Sequence, residues 1–411
     1  MTSGAISATD GMFPTSRDEL IVAMPYEGEV RRALDELKIA SSLVESCAPL
    51  GLAKLLLTRS RGDAKDSDPA TTAAAQAHEY LDDVIGQLRD AFGERYGGWY
   101  PPIGKNRIIG QVLGVGEVTF GGSGNPRPAA PQWQPRGVRP GQGVTVGVLD
   151  TGITDASWLS GAWLAESADI FVPGEDPAPA HAGHATFVAG LVLNEAPGAT
   201  IKVSQALDDT GEAHVWEVAK RIVEFGSSGI DILNLSFACY TKDGQPPMAL
   251  ATAIDRLDPD IVVVAAAGNH GHLEFKPTND RPGRSSPAWP AALDDVVAVG
   301  AADKNRNMAS FSPQGPWVDL LANGVDVTST YFDGRVELPS TVPGASPSVA
   351  EFHGMASWSG TSFAAARVSG AIAAKTQPGR VSARAAYEEI RSDLYRDPPS
   401  PPNRPPFLDL D

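Results

Sequence analysis

Short runs of branched apolar residues alternate with helical stretches through the second half of this 411-residue chain. Val144–Leu149, Ile201–Gln205, Ile230–Leu235, Ile261–Ala266 and Val296–Gly300 have the length and the Val/Ile content of strands. Between them, Ala185–Leu193, Val215–Phe225 and Ala249–Leu257 have the length and spacing of helices. A strand with one wet face alternates apolar and polar residues. Most of these runs do not alternate, so both faces must be covered. That predicts an α/β fold with a mostly parallel central sheet, over residues 144–396.

The first part of the chain has a different texture. Residues 1–18 are polar and irregular, and are expected to be disordered. Leu20–Met24 predicts a buried strand ended by Pro25. Glu27–Ile39 predicts a helix, with Val30, Leu34, Leu37 and Ile39 apolar. A second apolar region runs from Ser42 to Leu57, and a charged loop from Arg59 to Pro69. Thr71–Phe92 predicts a long helix with Leu81, Val84, Ile85, Leu88 and Phe92 on one stripe. Arg107–Phe120 predicts a further strand or hairpin. Residues 19–120 thus form a small α+β domain. Residues 121–143, rich in Gly, Pro, Arg and Gln, read as a linker. Asp333–Ala356 has the Gly, Pro and Ser content of a loop. The tail 397–411 holds six prolines, so it is a solvated tail or a strap, not a helix.

Composition narrows the partners. A net charge of −17 argues against nucleic acid and anionic membranes. The first residues lack a basic region and an apolar core, so no secretory signal is expected, and no run reaches the length of a membrane span. Cys47 and Cys239 fall in separate domains, which favours two free thiols and a reducing, cytoplasmic location.

The chemistry concentrates at the ends of the predicted strands. Asp150 ends the Val144–Leu149 strand, and open parallel sheets place their chemistry at that edge. His184 opens a small-residue helix after Gly183. Asn269 follows the Ile261–Ala266 strand and Gly268, and its uncharged amide can donate two hydrogen bonds. In Ser359-Gly360-Thr361-Ser362 a turn runs into an Ala-rich helix that continues through Ala374. Ser362 therefore sits at a helix N-terminus, where unpaired N–H groups and the helix dipole favour negative charge. Taken singly, these residues are equally an Asx turn, a surface histidine, a turn residue and a helix cap.

Together, in the order Asp, His, Asn, Ser, they resemble the subtilisin-like serine protease family over residues 143–378. Ser285–Pro290, Val296–Ala301, Ala309–Ser312 and Asp319–Val325 are similar to other family segments. The resemblance implies a three-layer subtilisin-like fold and a serine endopeptidase. In it Ser362 would be the nucleophile, His184 the general base, Asp150 its orienting carboxylate and Asn269 an oxyanion donor. Ser236, Phe237 and Ala238 would form one wall of the primary specificity pocket, and Ala266, Ala267 and Gly268 the other. No acidic residue stands at the base, so a hydrophobic or medium-sized side chain is expected before the scissile bond. Asp208 and Asp209 would either attract basic residues further upstream or form a solvated turn.

The sequence departs from the family at Ala185, Phe187, Phe363, Ala366 and Arg367. The short Leu193–Ala199 segment lacks the loop that supplies a calcium site in many members, so no metal or cofactor is expected. Residues 19–120 match either a removable prodomain, with its cut site in 121–143, or a permanent partner-binding domain. The expected role is processing of specific intracellular proteins or peptides. General protein turnover and a catalytically silent binding module are the competing readings.

Overall fold

The computed structural model describes residues 15–59, 73–111, 124–130, 139–272, 282–340, 346–396 and 404–410. Strand β1 (Thr15–Ala23), helix α1 (Glu27–Glu36), β2 (Ala40–Cys47), β3 (Leu52–Thr58), α2 (Ala73–Arg95) and β4 (Ile103–Gln111) build the first unit. Its strands lie in the order β4-β1-β3-β2, all antiparallel. β1 begins at Thr15, inside the stretch expected to be irregular; residues 1–14 lie outside the described residues, as do most of the 59–69 loop and residues 112–120 of the predicted Arg107–Phe120 element.

The run Leu20-Ile21-Val22 is continuously apolar because β1 is covered twice. Leu20 and Val22 pack with Val30, Leu34, Leu81 and Leu88 of the unit's own helices. Ile21 faces the other way, into a core shared with the larger unit.

The rest of the chain supplies β5 (Arg127–Pro128), β6 (Thr145–Asp150), β7 (Trp163–Leu164), β8 (Ala178–Pro179), α3 (His184–Glu195), β9 (Thr200–Gln205), β10 (Glu212–His214), α4 (Val215–Gly226), β11 (Ile232–Leu235), β12 (Phe237–Ala238), α5 (Met248–Asp255), β13 (Val262–Ala266), β14 (Val296–Ala302), β15 (Leu320–Asn323), β16 (Val327–Leu338), β17 (Ser348–Trp358), α6 (Thr361–Lys375), α7 (Ala383–Leu394) and β18 (Phe407–Leu408). The central sheet runs β18-β15-β14-β13-β11-β6-β9-β7, and its pairings are parallel. α3, α6 and α7 cover one face and α4 and α5 the other. Gly370 lets α6 cross α3 closely: a Cβ there would lie 2.7 Å from the Glu195 Cβ.

The two units share more than a core. Asn106 of β4 accepts a 3.0 Å hydrogen bond from the Trp216 N–H, in the first turn of α4, and donates one of 2.7 Å to Glu19. The N-cap residue of α4, His214, makes no side-chain cap bond, so a residue of the first unit serves that helix end. Glu45 adds bonds to Lys220 and to the Trp216 indole.

Two expectations change. Asp333–Ala356 is no loose loop: β16 and β17 make a long antiparallel hairpin, with its tip residues 341–345 outside the described set. β16 is rich in β-branched and aromatic residues, and β17 buries Phe352, Met355, Ala356 and Trp358, which outweighs the turn formers at the tip. β5, within the predicted linker, pairs with β17, and residues 131–138 lie outside the described set. The Pro-rich tail acts as a strap, since β18 adds to the sheet beside β15 and the Leu410 carbonyl accepts from Arg367.

Candidate active site

Register brings the site together. Leu149 of β6 pairs with Leu235 of β11, which pairs with Ala265 of β13. The next residues, Asp150, Ser236 and Ala266, stand side by side at the carboxyl edge of the sheet.

Asp150 is fully buried. Its carboxylate accepts from the Thr151 N–H at 2.7 Å, and both oxygens lie 2.9 Å from His184 Nδ1. An ionised carboxylate only accepts, so Nδ1 carries the proton and Nε2 is left as the acceptor. His184 opens α3, and the turn before it is fixed from outside the helix. Tyr331 of β16 donates to the Ala180 carbonyl at 2.5 Å, while Thr330 and Ser329 donate to the carbonyls of Thr186 and Phe187.

Aromatic rings hold the imidazole. Trp358 lies edge-on at 5.7 Å between centroids and Phe363 at 5.4 Å. Phe363 packs on Phe187 at 4.5 Å. Two departures from the family pattern are therefore neighbours that fill one space together.

Ser362 is the second residue of α6 and is 2% exposed. Its hydroxyl donates to the Ser236 carbonyl at 3.4 Å, and no hydrogen bond joins it to His184 among the described residues. Beneath it, a buried chain runs from the Ser369 hydroxyl to Asn234 and from the Asn234 amide to the Ser236 hydroxyl. Sequence reasoning gave Asn234 no role. The signal was there, because a fully buried amide inside Ile232-Leu233-Asn234-Leu235 needs partners.

Asn269 is also buried. Its Oδ1 accepts from the Thr361 N–H at 3.0 Å and from the Thr361 hydroxyl at 3.1 Å, while the Gly268 N–H donates to that hydroxyl. Fixing Oδ1 fixes the amide plane and directs Nδ2 away from Thr361.

The two segments expected to wall a pocket follow adjacent strands, with one difference in where a side chain points. Ser236 and Ala238 on one side, and Ala266, Ala267 and Gly268 on the other, lie at the ends of the neighbouring strands β11 and β13, but the Phe237 side chain belongs to the core that holds Trp216 and Leu250. The Phe237 backbone is occupied. Phe237 and Ala238 pair with Gln111 and Gly110 of β4, and on the other side Glu212–His214 of β10 pair with Gly110–Ile108. The Asp208 carboxylate accepts from Thr210 and Glu212 within its own turn, and burial with Asp208 alongside raises the carboxyls of Asp209 and Glu212.

Among the described residues no cluster of His, Cys, Asp and Glu has the makings of a metal site, and no helix is long and apolar enough to cross a membrane.

Residues 141–391 match the family model described as the subtilase family. Subtilisin BL and subtilisin Savinase, both from Lederbergia lenta, are each 34% identical over 259 residues, covering 60% of this chain and 81% of their own. Subtilisin DY from Bacillus licheniformis is 34% identical over 226 residues, covering 51% of this chain and 75% of its own. A solved structure described as a lanthipeptide protease superposes with a TM-score of 0.47 at 23% identity, covering 61% of this chain and 80% of that one.

Proposed function

This chain belongs to the subtilase family of serine endopeptidases, and we propose that its peptide-bond cleavage runs through Asp150, His184, Ser362 and Asn269. The observation that carries the assignment is the buried Asp150–His184 contact, which leaves Nε2 as an acceptor near the start of α6. Ser362 Oγ turns from the Ser236 carbonyl to Nε2 and gives up its proton as it bonds to the scissile carbonyl carbon. Asn269 Nδ2 and the Ser362 N–H hold the oxyanion. The imidazolium then protonates the departing amine as the C–N bond breaks. Water then gives a proton to the same nitrogen as it bonds to the acyl carbon, and the imidazolium returns that proton to Ser362 Oγ as the acyl–oxygen bond breaks and the acid leaves. A fluorophosphonate probe tests this: it labels the folded wild type and misses Ser362→Ala, and equal labelling of both overturns the assignment. No labelling of folded protein that also leaves its own mass unchanged favours the silent binding module instead.

The first unit is assigned as an inhibitory prodomain rather than a recruitment domain. Supporting this, β4 lies between β10 and β12, and so pairs with Phe237 and Ala238 of one proposed pocket wall. Gln111 pairs with Phe237, one position from Ser236, whose carbonyl receives the Ser362 hydroxyl. The cut is therefore expected shortly after Gln111, upstream of the 121–143 stretch. Intact mass after incubation reads it. Wild type gains a new N-terminus there and Ser362→Ala does not, whereas an unchanged wild-type mass sinks the prodomain reading.

Processing of specific proteins or peptides inside the cell is the role we assign, on the strength of the chain's acidity and its two free thiols.

A further inference from the structure

Behind the pocket walls two side chains meet that the mechanism does not use. Cys239 exchanges both backbone hydrogen bonds with Trp289, each 2.9 Å, so the chain stays extended beyond β12. Tyr240 therefore follows Ala238 on the same face, the face that forms one wall. On the opposite wall, His270 follows Gly268 and Asn269 and is fully buried.

The two rings stand edge-on at 4.8 Å between centroids, and the Tyr240 hydroxyl lies 3.1 Å from His270 Nδ1. His270 Nε2 lies 3.0 Å from the Ser286 carbonyl, which can only accept. The Nε2 thus carries the proton, and Nδ1 accepts from Tyr240. This pins the phenol across the gap between the walls. The pair also sits flush against Gly268, whose φ is +103°: a Cβ there would meet His270 Nδ1 at 2.7 Å and the Tyr240 hydroxyl at 2.9 Å. No space for even a methyl group remains between that wall and the pair.

We propose that Tyr240 and His270 form the floor of the primary specificity pocket and restrict the residue before the scissile bond to small side chains such as Ala, Gly or Ser. This rests on the assignment of Ser362 and of the two walls. It is narrower than the hydrophobic or medium-sized side chain that the sequence leads one to expect. The pair is uncharged at neutral pH, because burial holds His270 down at about 4 and pushes Tyr240 up, so it offers nothing to a Lys or Arg.

The test uses the full chain, incubated until its intact mass is constant and its Ser362 accepts the fluorophosphonate probe. Peptide substrates differing only before the scissile bond are then compared by kcat/KM. The expected result is a preference of at least about 10-fold for Ala over Leu or Phe, on the scale by which pocket size discriminates. Tyr240→Ala opens the floor and raises the Phe-to-Ala ratio by about 10-fold or more, whereas Tyr240→Phe, which keeps the ring, preserves the wild-type order. A mere loss of stability lowers all substrates together and leaves that order unchanged. A wild-type enzyme whose Ser362 labels in a separate aliquot but which prefers Phe or Leu overturns this proposal alone, even if no variant folds. Failure of Ser362 to label removes the proposed function and this proposal with it.

Discussion

Asp150 and His184 meet with their hydrogen bonds already made, whereas Ser362, on the neighbouring helix, still holds a bond it must give up. On the first side every constraint is short and buried: two carboxylate oxygens at 2.9 Å, a Thr151 N–H at 2.7 Å, and aromatic rings against the imidazole. On the second side the Ser362 hydroxyl rests on a carbonyl at 3.4 Å, near the limit of a hydrogen bond. Releasing such a bond costs about 1 kcal/mol or less. The imidazole is thus held rigidly, with its tautomer set by the fold, while the Ser362 hydroxyl, the proposed nucleophile, is held by one weak bond. Asn269 joins the rigid class by another route, since Thr361 of the nucleophile's own helix holds its acceptor end.

The largest expected effect breaks the rigid side. Asp150→Asn replaces an acceptor with an amide that can donate to Nδ1, stabilising the wrong tautomer, and should lower kcat by about 10⁴-fold. Fluorophosphonate labelling rates measure it, with circular dichroism confirming the fold. A loss of less than tenfold would mean that Asp150 does not set the tautomer.

Asn269 offers a finer cut. Asn269→Asp keeps the Oδ1 acceptor for Thr361 but removes the donor and adds a charge where the oxyanion forms. It should cost at least about 10²–10³ in kcat with little change in melting temperature. Asn269→Ala loses the same donor and also strands the buried Thr361 groups, costing a further 1–3 kcal/mol or so of stability. If both variants melt alike, the Thr361 anchor is not what holds the amide.

What the sequence disclosed follows the same division. Asp150, His184, Asn269 and Ser362 were legible because each follows a strand or opens a helix at the sheet edge, and that position is written locally. The central strands were legible because their apolar runs answer to two covered faces. The supports were not. Asn234 and Ser369 are 135 residues apart and acquire meaning only when α6 crosses β11. Phe187 and Phe363 look like separate departures until they are seen to touch. The β16–β17 hairpin was read as a loop because its tip is rich in turn formers, while the contacts that make it a strut for α3 come from Ser329, Thr330 and Tyr331. Ile21, apolar in a run that looked like ordinary core, faces a partner nearly two hundred residues away in sequence, among the residues of α4.

Acid should weaken the fold around the site next. Burial holds His270, beside Tyr240 and His272, at about 4 rather than the ordinary 6.5. The unfolded chain therefore takes up a proton first as pH falls. The stability that neutral His270 contributes is complete above pH 6.5 and is lost between about 6.5 and 4, on the order of 3 kcal/mol in all. His181, stacked on Trp358 near His184, is pushed down to about 4 by burial and acts in the same direction. Denaturant unfolding at pH 7, 5.5 and 4 should show the fall, and His270→Gln should remove only part of it. An unchanged slope in that variant would mean that His270 titrates normally.

The smallest effect tests whether the rings on the rigid side guide the imidazole or only fill space. Phe363 touches His184, Phe187 and Trp358, and Met is the residue the family usually carries there. Phe363→Met keeps the site apolar at slightly lower volume and should cost no more than about 1.5 kcal/mol of stability. Because the two Asp150 contacts fix the ring without help from Phe363, kcat should change by less than about tenfold, which corresponds to roughly 1.4 kcal/mol in the barrier. The labelling rate and the melting temperature, measured on one preparation, separate the two contributions. A kcat loss well beyond tenfold at unchanged stability would make Phe363 a positioning residue, and the rigidity of this half would then depend on its aromatic wall as much as on its carboxylate.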